Sequence, residues 1–381
     1  MDKKVRVCVV TWGCSMNYGT ALQAFALEYK LRQMGWEASF LSCPARFTWR
    51  GTIRGFLEHY RLLSIWRRLR CLIGGGAHPI RCSSRRQSKL EKWFDSVHNV
   101  SRVAYAGDMR RLLRRTDCFL CGSDQIWNTY VGYNPIMYLE FAKGCRRASY
   151  STSIGTAGIN PAYAKRVKAA LSRFQAISVR EMRSVETLNQ LLNRKDVVHV
   201  LDPTFLLDSN DWSNIIPANG DPMLHEEPYV LCYLIGKSRE NAERVRDVSR
   251  KIGIDRIVIV SSMENPDVRV EGALTISDAD PFEFVRLIKD AALVCTDSYH
   301  ATAFSINFRR PFVELMRFSD GDESSQNMRI YDLLERFGLK NRIAREGVDF
   351  NPSECDFTVV DRRLNGLRAE SLAYLKHAVS M

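Results

Sequence analysis

The stretch that decides the reading of this chain is Leu293-Val294-Cys295-Thr296-Asp297-Ser298-Tyr299-His300-Ala301-Thr302-Ala303-Phe304. With Ala291 and Ala292 ahead of it, its first residues form an apolar run of the length of a buried strand. Thr296, Asp297 and Ser298 then favour caps and turns. Beyond them Ala301, Phe304 and Phe308, with Ile306 near the same stripe, predict an amphipathic helix that ends before Pro311. Strand, polar cap and helix together put Ser298 and His300 at a helix N-terminus. Unpaired N–H groups and the positive end of the dipole favour an anion there. Histidine is also the side chain suited to proton transfer near neutral pH. The residue by itself admits two readings, proton transfer or packing in the first turn.

The same rhythm runs outward in both directions. Towards the C-terminus the pattern predicts a strand at 229–235, a helix at 239–252, a strand at 256–260 and a helix at 281–291. After the quoted stretch come a strand at 311–315, a helix at 328–337 and a terminal helix at 369–378. Towards the N-terminus, strands are expected at 5–10, 40–41, 118–121, 148–154, 176–179 and 197–201. Helices are expected at 21–34, 161–174 and 184–192. Strands alternating with helices predict an α/β protein of two doubly wound, Rossmann-like domains facing a cleft. The expected division is a first domain at 1–207, a linker at 208–228, a second domain at 229–345 and a tail with its helix at 346–381. The linker is read from its Asp, Asn, Pro and Gly content and its lack of period. Because the loop after the first strand holds no G-x-G-x-x-G, a dinucleotide site is not expected.

Composition narrows the class. No stretch approaches the roughly 18 apolar residues of a spanning helix, and the N-terminal apolar run is too short for a signal peptide. The eleven cysteines are scattered, and Cys118 and Cys121 flank an apolar pair inside a strand. That pattern fits reduced thiols in a cytoplasm, with no structural metal. From Arg46 to Asp117 there are seventeen Lys/Arg against five Asp/Glu, so this window accounts for the whole net charge of +12. One basic segment points to a local surface with a specific partner, and it has the layout of no nucleic-acid module. Residues 46–115 therefore read as a basic helical insertion in the first domain. Within it, 51–73 places Leu62, Trp66, Leu69 and Ile73 on one stripe, with Arg61, Arg67, Arg68 and Arg70 around it. That is the make-up of a helix lying on an anionic membrane surface; scaffold packing is the alternative.

Polar residues recur where the first-domain strands end. They are Asn17-Tyr18-Gly19, the run 122–128 with Ser123, Asp124, Gln125 and Asn128, then Arg180-Glu181, then Asp202-Pro203-Thr204. Any one of these is ordinary turn chemistry. Their recurrence at carboxyl ends of strands marks the binding edge of a doubly wound sheet.

Laid out in order, these segments resemble the polysaccharide pyruvyl transferase family. The matching blocks are NYGTALQAFAL at 17–27, GSDQIWN at 122–128, SVRE at 178–181 and VLDPTFLL at 200–207. They continue with the block from Asp280 to Leu315 and RIYDLLERFGL at 329–339. The resemblance implies a fold similar to the glycosyltransferase type B. It implies transfer of a pyruvyl group from phosphoenolpyruvate to two hydroxyls of a sugar, forming a ketal in exopolysaccharide or cell-wall polysaccharide synthesis. On that reading His300 and Asp124 are catalytic, and Arg180, Ser298, Asp297 and Ser153 bind the donor. Asn17, Tyr18, Gly19, Gln125 and Asn128 bind the acceptor sugar, and no cofactor or metal takes part. The acceptors of such pathways are commonly lipid-linked, which would bring a cytoplasmic enzyme to the inner membrane face. One branch of the family carries Arg two residues before the histidine, where this chain has Ser298, and Gly is common where this chain has Ala301. The alternative on the same fold is a glycosyltransferase using a nucleotide-sugar donor.

Overall fold

The computed structural model describes residues 4–12, 17–42, 84–103, 106–156, 158–217, 227–262, 267–318, 325–344 and 351–380. Two five-stranded parallel sheets carry the fold. The first contains β1 (Arg6–Val10), β2 (Glu37–Ser42), β3 (Val100–Arg102), β4 (Cys118–Cys121) and β5 (Arg146–Ser149), in the order β3-β2-β1-β4-β5. A short parallel pair, β6 (Ser178–Val179) with β7 (Val198–His199), extends it through bridges Ala148↔Ala176 and Thr152↔Val179. The second contains β8 (Val230–Tyr233), β9 (Ile257–Val260), β10 (Leu274–Ile276), β11 (Leu293–Thr296) and β12 (Phe312–Glu314), in the order β10-β9-β8-β11-β12. The two orders are the same Rossmann order, and in each the direction of winding reverses beside the first strand. Ligands of such sheets bind at the carboxyl ends of the strands at that reversal. Here the edges are β1/β4 and β8/β11, the two places where the polar segments lie.

Helix Tyr18–Gln33 joins the halves. The Tyr18 ring stacks on Phe284 at 4.6 Å and its hydroxyl donates to Ala279 O at 2.9 Å. Tyr18 is fully buried. The helix after β11, Tyr299–Asn307, was expected to be amphipathic, yet all nine of its residues are buried. It lies between the second sheet, helices Tyr18–Gln33 and Pro281–Asp290, and the 3-10 turn Pro203–Leu206 of the first half. With cover on every side it needs no polar face.

Three segments depart from expectation. The stretch at 208–228 opens with a helix, Ser209–Ile215, closed by a capping box between Asp208 and Asp211. Its Trp212 is fully buried and donates Nε1–H to Thr204 O at 3.0 Å. Two turns holding one core side chain leave no readable period. The basic insertion supplies an integral strand: between helices Ser84–Val97 and Ala106–Arg115 runs β3, paired in register with β2. The helix expected at 51–73 lies outside the described residues. The terminal helix is longer than expected, Thr358–Ser380, and returns to the first sheet. There Tyr374 donates to Ser149 O at 2.9 Å, and Arg146 donates to Val379 O at 2.6 Å. Among the described residues no helix is long and apolar enough to cross a membrane.

Candidate active site

Between the carboxyl edges of the two sheets lies a cavity of about 310 Å³, within the size range of small-molecule sites. The first half contributes Asn17, Thr20, Asp124 and Gln125 to its walls; the second contributes Asp297 to His300, Glu314, Arg317, Gln326 and Arg329. Asp124 and Gln125 follow β4, and Asp297 to His300 follow β11, both buried strands, so these polar side chains are held by a rigid frame.

His300 sits in the first turn after β11 and is almost wholly buried. Its Nε2 lies 3.6 Å from Asp202 Oδ2, a carboxylate of the other half. That contact is an ion-pair approach longer than a hydrogen bond, and Nδ1 lies on the side of Gly19. Asp202 is over-determined. Its Oδ2 accepts from Ser123 Oγ at 2.9 Å and Arg180 Nη1 at 3.1 Å. Its Oδ1 accepts from the N–H and hydroxyl of Thr204, at 3.0 and 2.8 Å. Burial pushes this carboxyl up, but His300, Arg180 and the Thr204 N–H outweigh it and hold the group well below the usual carboxylate range. An ionised, immobile carboxylate beside an imidazole fixes the orientation of the ring. Asp202 was legible only as the residue closing a strand. Its neighbour Pro203 and its cap on Thr204 explain its position but carry no sign of the histidine.

Several expected ligand groups make their contacts away from the cavity. Arg180 is buried, its Nε donating to Glu181 Oε1 and its Nη1 to Asp202 Oδ2, both at 3.1 Å. Its guanidinium lies 4.2 Å from the centre of the Tyr299 ring, so it stands behind the cavity wall and is neutralised by two carboxylates. Ser153 is fully buried and donates to Glu181 Oε1 at 2.7 Å. Asn128 braces its own loop, donating to Gln125 Oε1 at 3.2 Å and accepting from Tyr130 N at 3.1 Å. Tyr18 belongs to the core between the halves. Arg180, Ser153 and Tyr18 turn inward because a buried partner is within reach, whereas Asn128 is held by its own loop.

Others do face the cavity. Asn17 caps its helix, accepting from Gly19 N at 3.0 Å and Thr20 N at 3.3 Å. Asp124 holds φ at 75°, in the left-handed region that Asp tolerates better than most residues. Its Oδ1 accepts from Gln125 N at 2.8 Å, and its Oδ2 accepts from Thr20 Oγ1. Gln125 reaches across the cleft and donates to Gln326 Oε1 at 2.9 Å. Ser298 is the N-cap of the His300 helix but makes no side-chain cap bond. Asp297 pins the loop after β8, accepting from Ile235 N and Gly236 N at 2.7 Å each, while burial keeps its carboxyl above the ordinary value. A carboxyl so placed supports the cavity wall.

The cations on the cavity wall come from residues that sequence reasoning passed over. Arg329 donates Nη2–H to Gln326 Oε1 at 2.8 Å, and its buried Nε has no partner among the described residues. Burial, with Arg180 nearby, lowers its pKa to about 10, so it is cationic at neutral pH. Arg317 is exposed at the rim, its guanidinium 5.1 Å from the Phe318 ring centre. A carboxylate-supported histidine thus faces a region with two arginines, in a wall that also holds the carboxyls of Asp124, Asp297 and Glu314.

A family model described as Polysaccharide pyruvyl transferase matches residues 17–315. No curated protein matches the sequence. Among solved structures, one assigned as a UDP-N-acetylglucosamine 2-epimerase from Listeria monocytogenes aligns with TM-score 0.50 and 13% identity, over 97% of this chain and 98% of that one. UDP-GlcNAc 2-epimerase from Neisseria meningitidis, bound to UDP-GlcNAc, aligns with TM-score 0.48 and 12% identity over 97% and 100%. At these identities the likeness concerns the fold, two Rossmann-like domains of the glycosyltransferase type B kind.

Proposed function

The chain belongs to the polysaccharide pyruvyl transferase family, and from that premise we propose that it moves a pyruvyl group from phosphoenolpyruvate to two hydroxyls of a sugar, forming a cyclic ketal. The observation that carries this reading is the pairing of His300 with Asp202 in a cavity that also holds Arg329 and Arg317. The donor carries a phosphate and a carboxylate, which Arg329 and Arg317 suit by charge and by their planar donors. The acceptor's hydroxyls suit the amide and carboxylate groups of Asn17, Asp124 and Gln125 on the opposite wall. His300 Nδ1 takes the proton of the attacking hydroxyl, and Asp202 stabilises the imidazolium that forms.

The assay is release of inorganic phosphate from phosphoenolpyruvate with a panel of sugar acceptors, run beside the same panel with nucleotide sugars. Phosphate release with the first donor alone supports pyruvyl transfer. Nucleotide release from the second alone supports the glycosyltransferase alternative and ends this reading.

A further inference from the structure

Glu314 ends β12 on the wall of the same cavity. It is only 1% exposed. The hydroxyl of Thr302, two residues beyond His300 in the same helix, lies between Ser298 O, at 3.0 Å, and Glu314 Oε2. The other carboxyl oxygen, Oε1, is buried and has no partner among the described residues. Among the described residues no cation pairs with this carboxyl, and the charged group that acts on it is another carboxyl, Asp297. Burial first, and then Asp297, push its pKa well above the ordinary value against the bond from Thr302.

The Thr302 hydroxyl has one proton; when it turns from Ser298 O, which keeps the Thr302 N–H, to donate to Oε2, a proton on the carboxyl sits on Oε1. We infer that Glu314 is the acid that protonates C3 of the enolpyruvyl donor, while His300 is the base that receives the proton of the acceptor hydroxyl. The inference rests on the pyruvyl-transfer reading and divides its acid and base work between two groups of opposite environment. In the first step the C2=C3 π pair takes the proton from Oε1 and forms a C3–H bond. C2 becomes electron-deficient and Glu314 becomes a carboxylate, to which the Thr302 hydroxyl donates. The acceptor oxygen bonds to C2 and its proton passes to His300. The C2–O bond to phosphate then breaks with its electron pair on phosphate, which takes the proton from His300. The second hydroxyl bonds to C2 and returns its proton to Glu314, so both groups end as they began.

The test uses the full chain, the Glu314→Gln variant and phosphoenolpyruvate as the probe. The infrared difference between wild type and variant at neutral pH should contain the stretch of a protonated carboxyl that shifts in heavy water and moves when phosphoenolpyruvate is added. A spectrum of ionised carboxylate, or a protonated band indifferent to phosphoenolpyruvate, overturns the inference whatever the turnover. With an acceptor, Glu314→Gln should lose about 10²-fold or more in kcat, while the Kd for phosphoenolpyruvate stays within about three-fold. Wild-type turnover in the variant overturns it as well. A wild-type protein that releases no phosphate with any acceptor ends the parent reading and this inference with it, and does so before the variant is made.

Discussion

A Cβ atom added to Gly19 would fall 2.1 Å from His300 Nδ1 and 2.3 Å from its Cγ. The first turn of the first-half helix therefore lies directly against the imidazole of the second half. Glycine is required here by this close approach. Gly19→Ala should keep the fold, since the position is helical, but force the ring from its place beside Asp202. Turnover is expected to fall roughly 10²-fold with the donor constant little changed. An alanine variant with wild-type kcat would show that the ring moves aside without consequence.

The two buried carboxyls predict opposite pH dependences. Asp202 is held below the usual range, so its contribution to stability is present above the unfolded value of about 4 and is lost as pH falls towards its folded value. Denaturant unfolding should show the stability gap between wild type and Asp202→Asn narrowing as pH drops below about 4. Glu314 is raised. Its folded form keeps a proton that the unfolded chain has lost, so wild type should weaken relative to Glu314→Gln as pH rises above about 4. A gap that moves the other way for either residue contradicts the environment assigned to it.

Arg329 and Arg180 should separate binding from folding. Arg329→Ala removes a cation from the cavity wall and should raise the apparent constant for phosphoenolpyruvate by about 10-fold or more, with stability nearly unchanged. Arg180→Ala strands two buried carboxylates, Glu181 and Asp202, and should cost roughly 3–5 kcal/mol of folding free energy. If Arg180→Ala folds as well as wild type and loses only donor affinity, Arg180 is a ligand group after all.

Asp124→Asn preserves the left-handed backbone, which Asn also tolerates, and removes one charge from the first-half wall. Acceptor saturation should suffer more than donor saturation in initial-rate kinetics. The reverse ranking would move the acceptor to another wall.

The basic stripe at 51–73 is expected to bind anionic vesicles. Each basic residue near such a surface contributes about 1 kcal/mol, enough in sum for reversible attachment. Flotation should need anionic lipid, weaken with salt and drop when Arg67, Arg68 and Arg70 become Gln. Protein that stays in the soluble fraction at low salt would make this segment ordinary scaffold.

The periodicities that build strands and helices are local, so the α/β class, the strand–cap–helix around Ser298 and the polar carboxyl edges were all legible in sequence. So was the place of His300 in the first turn of that helix, although the residue by itself admitted proton transfer and packing alike. Strands β3 and β10 were not. They are three-residue edge strands, and a few exposed or half-buried positions carry no alternation. The matching order of the two sheets was equally hidden, since topology depends on which strands pair and the halves share no visible repeat. Facing was decided by tertiary structure alone. Arg180, Ser153 and Asn128 stand among polar neighbours in sequence much as Asp124 and Gln125 do. Arg180 and Ser153 meet buried partners and turn inward, and Asn128 turns onto its own loop; the other two meet the cleft. Asp202 and Glu314 take their chemistry from residues distant in sequence or on another element: His300 and Arg180 for one, Thr302 and Asp297 for the other. A carboxyl's acidity follows the charges and dielectric packed around it, and tertiary packing sets those, between the halves for Asp202 and within the second half for Glu314.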